Sequence, residues 1–200
     1  MAATRAKREE TRPVRLEVAS VEDAGPLTVI AALAFFDDRK WIPPKILEPM
    51  LAEADPSKGP PHVSYEWTRR VLQSIHEGHI VGAPDTTYYK VVLGESRAVG
   101  GLFIVSRTDL GEGEWRCEGI YVDPDYQDRG IGQKVFRAMY RLHPDAVRWS
   151  LGTPEWAVRN HHFYEKMGFS LAEITDVEPE TGWSSYEYEN VLSQAERLKL

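Results

Sequence analysis

At 200 residues, 42% hydrophobic and 28% charged, the chain has the size and composition of one globular domain, able to bury roughly 70% of its unfolded surface and to fold without disulfides or metal. A single cysteine, Cys117, excludes an intrachain disulfide and points to a reducing, cytoplasmic setting. A net charge of −7 argues against broad nucleic-acid binding, and no apolar run approaches the ~20 residues that span a membrane.

The charge is uneven. Residues 1–15 hold Arg5, Lys7, Arg8, Arg12 and Arg15 against Glu9 and Glu10, a local +3, so the rest of the chain carries −10. Such an acidic body suits a cationic partner, although moderate negative charge also simply aids solubility. The first residues lack an apolar segment, so neither a signal peptide nor a transit peptide is expected.

In chain order, residues 1–12 read as a flexible tail and 13–200 as one domain. Val14–Val18 alternates like a strand. Ser20 with Asp23 makes a capping-box variant, and Leu27, Ile30, Ala31, Ala34 and Phe35 continue at helical spacing to about Phe36. Residues 41–62 are rich in proline and predict a long loop with a short helix near Lys45–Ala54. Ser64–His76 reads as a second helix. The period then changes to two: Thr86–Leu93 and Ala98–Ser106 form a hairpin, and Trp115–Val122 a further strand stopped by Asp123-Pro124. Ile131, Val135, Phe136, Met139 and Leu142 mark a helix that ends at His143-Pro144. Val147–Leu151 is a short strand. Thr153-Pro154-Glu155 predicts a helix start, with that helix running to Met167 and capped by Gly168. Phe169–Thr175 and Trp183–Glu189 are the last strands, before a short polar helix. The order β-α-α-β-β-β-α-β-α-β-β is that of a mixed α/β domain.

The informative stretch is Tyr126-Gln127-Asp128-Arg129-Gly130-Ile131-Gly132-Gln133, which passes from a strand through a turn into a helix. The first N–H groups of a helix lack intrahelical partners and sit at the positive end of its dipole. Glycines there let a phosphate or pyrophosphate approach the bare backbone. No Gly-Lys-Ser/Thr follows, as a nucleotide P-loop requires, and Val135 stands where a dinucleotide fingerprint has its third small residue. Taken alone, Gly130-x-Gly132 reads first as a plain turn.

It does not stand alone. Gln127-x-x-Gly130-x-Gly132, taken with Tyr164-Glu165-Lys166-x-Gly168-Phe169, resembles the GNAT superfamily of acyl-CoA-dependent N-acetyltransferases. The likeness spans roughly residues 14–190 and is strongest at 115–170. It implies a central mixed, mostly antiparallel sheet of about seven strands flanked by helices, with acetyl-CoA as cosubstrate and no metal. By this resemblance Gln127, Arg129, Gly130, Ile131, Gly132 and Gln133 grip the CoA pyrophosphate. Ile120, Tyr121 and Val122 offer backbone to the pantetheine arm, in a gap between their strand and the one at 147–151. Tyr164 matches the tyrosine near the CoA sulfur, the acid for the leaving thiolate. The family often has an asparagine seven residues earlier; here that position is Ala157, and Asn160, one turn before Tyr164, is the candidate substitute.

A lysine-like amine with pKa ~10.4 costs about 4.6 kcal/mol to deprotonate at pH 7, so a base is useful. Glu118, on the strand before the loop, is the candidate, weighed evenly against a purely structural carboxylate. Cys117 faces the other way on that strand and reads as a buried structural thiol. His76-x-x-His79 and His161-His162 lack the further ligands of a metal site. The aromatics Phe35, Phe36, Trp41, Tyr65 and Trp67 and the acids Asp176, Glu178 and Glu180 are candidates for an acceptor pocket, or else core and solvated loop. The expected function is acetyl transfer to a primary amine of a small cationic molecule, by direct attack in a ternary complex. A protein N-terminus or lysine is the alternative acceptor. A non-catalytic acyl-CoA sensor or scaffold, and a nucleotide-binding protein, are the alternative classes. The resemblance also allows a homodimer.

Overall fold

The computed structural model describes residues 13–38, 42–45, 65–76, 86–95, 97–179 and 182–193. The expected tail, most of the proline-rich segment with Trp41, and His79, Glu180 and the closing helix lie outside them. So do the side chains of Phe35, Phe36, Tyr65, Trp67 and His76.

The strands are β1 (Val14–Val18), β2 (Thr86–Leu93), β3 (Arg97–Ser106), β4 (Glu114–Val122), β5 (Arg148–Pro154), β6 (Ser170–Ile174) and β7 (Ser185–Val191). The helices are α1 (Ala24–Asp38), α2 (Tyr65–His76), α3 (Ile131–Leu142) and α4 (Val158–Lys166). The strands form one sheet in the order β1-β2-β3-β4-β5-β7-β6. The β4–β5 pair is parallel and all other neighbours are antiparallel. The expected mixed, mostly antiparallel sheet of seven strands is therefore present.

Two cores cover the two faces. Adjacent strand residues point to opposite sides, and Tyr88 and Tyr89 of β2 duly fall in different clusters. On one face Leu102, Ile104, Cys117, Trp149 and Leu151 meet Ile131, Val135, Phe136 and Met139, the apolar stripe of α3. On the other, Ala24 and Leu27 of α1 and Leu72 of α2 meet Tyr88, with Phe103 and Tyr121 packed alongside. The capping box is real: the Asp23 carboxylate accepts from the Ser20 N–H at 2.9 Å and its hydroxyl at 3.1 Å.

One boundary differs from expectation. Thr153 and Pro154 do not open a helix; they extend β5 opposite Tyr186 and Ser185. β7 supplies a ladder partner that local sequence does not reveal, and the Glu155 N–H donates to the Ser184 carbonyl at 3.0 Å. α4 starts only at Val158, with Ala157 as its N-cap.

Candidate active site

β4 and β5 pair over four positions only, from Glu114 opposite Arg148 to Cys117 opposite Leu151. Beyond that β4 stays with β3 and β5 with β7, so the strands part. A bulge sits where they separate. Ile104 pairs with Cys117 but Phe103 pairs with Gly119, which leaves Glu118 as the extra residue. The Asp123 N–H donates to Val99 of β3 at 2.8 Å. Alternation along the strand then turns the backbone groups of Ile120 and Val122 away from β3, into the gap, and those of Tyr121 toward β3. A groove of about 1100 Å³ runs through the gap, from the head of α3 to the underside of α1 and α2.

The loop after β4 closes one end. Asp123 caps a short 3-10 turn over Pro124–Tyr126, its side chain accepting from the Asp125 N–H at 3.0 Å. The Gln127 side-chain amide donates to the Val122 carbonyl at 3.0 Å, tying the loop to the strand end. Gly130 is the N-cap of α3 at φ 72°, a left-handed conformation that favours glycine, and a Cβ there would meet open space. The first intrahelical bond runs from the Lys134 N–H to the Gly130 carbonyl at 3.2 Å, and no acidic residue occupies the first turn. The N–H groups of Ile131, Gly132 and Gln133 thus precede the ladder at the positive end of a three-turn helix. Gly132 serves packing: a Cβ would lie 3.0 Å from the Phe163 ring of α4. Arg129 sits over the Tyr126 ring, 5.4 Å from its centroid, and Arg97 lies over the same ring at 4.9 Å.

α4 forms the far wall. Tyr164 is buried yet lines the groove, set among Phe136, Phe163, Phe169 and Tyr188. The Asn160 amide donates to the Thr153 hydroxyl at 3.2 Å, which joins α4 to the open end of β5. His161, buried beneath, faces the Glu155 carbonyl with Nε2 at 3.1 Å and the Tyr188 hydroxyl with Nδ1 at 2.9 Å. A carbonyl only accepts, so Nε2 carries the proton. This histidine is structural, and its exposed neighbour His162 points away from it. Among the described residues no three His, Cys, Asp or Glu side chains group to hold a metal ion.

Residues 84–171 match the family model of the acetyltransferase (GNAT) domain. The matched stretch runs from β2 through α4 and holds the whole loop after β4. Solved structures agree on the fold. The PaiA N-acetyltransferase from Thermoplasma acidophilum, in complex with coenzyme A, aligns with TM-score 0.63 at 13% identity, over 90% of this chain and 99% of that one. Spermidine N-acetyltransferase from Vibrio cholerae, in complex with CoA and spermine, gives 0.65 at 11% identity, over 92% and 98%. The ribosomal-protein-S18-alanine N-acetyltransferase from Escherichia coli gives 0.60 at 14%, over 90% and 94%. No curated protein matches the chain.

Charged side chains stand at two places along the otherwise largely apolar groove. Arg159, His162 and Lys166 line it beside the loop, with Arg159 held to Asp128 at 3.1 Å. At the parting of the strands stands Glu118, paired with Arg116 at 3.3 Å. Arg116 is shared with Glu187 at 2.8 Å. Burial works against the Arg116 charge, but the bonds and charges of Glu187 and Glu118 outweigh it and hold the guanidinium above the usual arginine range. Cys117 on the opposite face is buried, and burial pushes its thiol up to about 12, so it is no nucleophile at neutral pH. Sequence reasoning missed Arg159, Arg116 and the indoles of Trp156 and Trp183, which also line the groove or its edge. These partners lie 27 to 71 residues away, and no local pattern carries that information.

Proposed function

We propose that the chain is a GNAT N-acetyltransferase that transfers the acetyl group of acetyl-CoA to a primary amine of a small cationic molecule, by direct attack in a ternary complex. One observation carries the reading. The open N–H cradle at Gly130–Gln133 is continuous with the gap between β4 and β5, and that gap leads past Tyr164 to Glu118. The cradle fits a pyrophosphate, which needs close backbone approach, and the free edge of β4 at Ile120 and Val122 fits an extended, amide-bearing arm.

Bound acetyl-CoA would supply an activated thioester carbonyl. The chain supplies the rest. Glu118, directly or through water, takes the proton that the attacking ammonium must lose. The backbone N–H of Val122 polarises the carbonyl as negative charge develops on its oxygen. A C–N bond forms, the C–S bond breaks, the Tyr164 hydroxyl gives its proton to the departing thiolate, and the second proton lost by the nitrogen restores that hydroxyl. Arg159, Arg129 and Gln133 add donors around the phosphates, and Asn160 stands beside the arm where Ala157 has no polar group. The carboxylates of Glu118 and Glu187 outnumber the one guanidinium between them, so the acceptor end favours a cation. A protein N-terminus or lysine remains the alternative acceptor.

The second reading is a non-catalytic acyl-CoA module, favoured by the hold of Arg116 on the carboxylate needed as base. Calorimetric titration with acetyl-CoA, followed by thiol release in the presence of amines, separates the two. The wild type should bind, and Gly130→Asp should weaken binding more than about tenfold, since it adds a carboxylate facing the anion. Aspartate accepts the left-handed region, as Asp128 does at φ 58°, so the variant should keep its fold, checked by circular dichroism. Binding without amine-dependent release would support the sensor. No binding by the wild type would remove the enzyme reading.

A further inference from the structure

Two glycines stand together inside β3, and Tyr121 accounts for both. A Cβ on Gly100 would collide with the Tyr121 carbonyl, and one on Gly101 would overlap the Tyr121 ring and hydroxyl. The bare backbone lets the ring lie flat across β3 and reach β2, where the Tyr121 and Tyr88 hydroxyls meet at 2.7 Å. Tyr88 is fixed in turn by stacking on Phe103, 5.5 Å between centroids.

This pair lies on the α1/α2 face of the sheet, opposite the face that carries α3 and Tyr164, and both tyrosines line the groove. Ala31, Ala34, Thr68 and Phe103 line the groove on the same face. Two hydroxyls joined by one hydrogen bond retain one hydrogen and several lone pairs between them. Neither tyrosine has another hydrogen-bond partner among the described residues. The nearest cation along β2 on this face, Lys90, is neutralised by both oxygens of Asp23 at 3.1 Å. Burial holds both phenols neutral. Among the described residues, α1 and α2 thus bring no charged side chain to this end of the groove, which offers only uncharged polar groups, the hydroxyl pair and Thr68.

We propose that the Tyr88–Tyr121 hydroxyl pair selects acceptor amines that carry a second, uncharged hydrogen-bonding group, a hydroxyl or a carboxamide. The inference rests on the acetyl-transfer reading and names its substrate class: ammonium toward Glu118, neutral polar group toward the tyrosines. A hydrocarbon end would leave the pair's remaining hydrogen-bond capacity unmet in an apolar setting, a strong basis for discrimination.

The test uses the full chain saturated with CoA. Calorimetry measures binding of amino alcohols with two to five carbons, each against the alkylamine of the same length, for wild type, Tyr121→Phe and Tyr88→Phe. At least one amino alcohol should bind about tenfold or more tighter than its alkylamine, and that preference should fall to within about threefold in Tyr121→Phe. CoA affinity should stay within about twofold, which also reports that the variants are folded. The proposal is overturned if the wild type prefers no amino alcohol, if the preference survives both variants, or if Tyr121→Phe loses CoA affinity. Thiol release from acetyl-CoA with the same amines separates the two levels. Turnover without selectivity removes the role of the pair alone. Selective binding without turnover removes acetyl transfer and leaves the selection standing.

Discussion

The hydroxyl of Tyr164 is the one polar atom of a side chain otherwise packed among Phe136, Phe163, Phe169 and Tyr188. Removing it leaves the ring contacts intact, so Tyr164→Phe isolates the chemistry. As general acid, its loss should lower kcat by about 10²-fold or more while the acetyl-CoA Kd stays within about twofold. Steady-state kinetics beside calorimetry checks this, and an unchanged kcat would retire Tyr164 as the acid. Tyr164 and Gly130 were legible in the sequence because each belongs to a short motif read along the chain. The situation of Glu118 was only half legible. Its place on β4 follows from alternation, but the bulge that singles it out is a register event against β3, and its tie to Arg116 and Glu187 spans two other strands. The place of the Tyr121 side chain was legible least. Resemblance assigned it to the cofactor through its backbone, whereas its side chain crosses β3 to the other face of the groove.

Elements with a strong internal period were read well. α3 is bounded within a residue or two of expectation because five of its residues bury one stripe. The start of α4 was misplaced because Thr153-Pro154-Glu155 carries a genuine local helix signal that pairing with β7, thirty residues on, overrides. In β3 the sequence offered Gly100-Gly101 and no reason for it. Glycine inside a strand costs about 0.5–1 kcal/mol relative to alanine. The space it leaves is filled by the Tyr121 ring and backbone. Gly101→Ala should therefore destabilise rather than stabilise, by about 1–3 kcal/mol, through forced movement of that ring. Urea unfolding measures it. Gly101→Ala combined with Tyr121→Ala should recover part of the loss attributable to the clash, and a stabilised single variant would contradict the packing described.

At the level of the whole molecule, the order of elements along the chain was legible, and the resemblance supplied the mixed, mostly antiparallel sheet with its flanking helices, while most of the groove's α1/α2 side was not legible. That side is built by α1, α2 and the reach of Tyr121, joined by contacts between residues far apart in sequence. Acid stability has two windows. His143 packs against Trp115 at 4.2 Å and Trp149 at 5.8 Å, and burial lowers its pKa despite the nearby Asp145. The unfolded chain then takes up the proton first, so stability is present above about pH 6.5 and falls as pH drops through that value. Asp23 belongs to a lower window. Burial raises its pKa, but the bonds from Ser20 and Lys90 outweigh it and the net shift is downward. Its contribution is present above about pH 4 and lost below. Urea midpoints at pH 7.5 and 5.5 should show the first loss, and His143→Gln should shrink the difference between them. An equal difference in both proteins would assign it to other groups.

β4 and β5 are joined by four residue pairs, while the sheet on either side is held over longer ladders. That seam divides the sheet into a β1–β4 half and a β5-β7-β6 half, and acetyl-CoA, on the proposed reading, lies along it and touches both. Occupancy then acts as a clamp. At a ligand concentration one hundred times Kd the folded state gains about 2.7 kcal/mol, which lowers the unfolded population about a hundredfold. Degradation that proceeds through the open form would slow to match, so the abundance of this protein in a cell would follow the supply of its own cosubstrate.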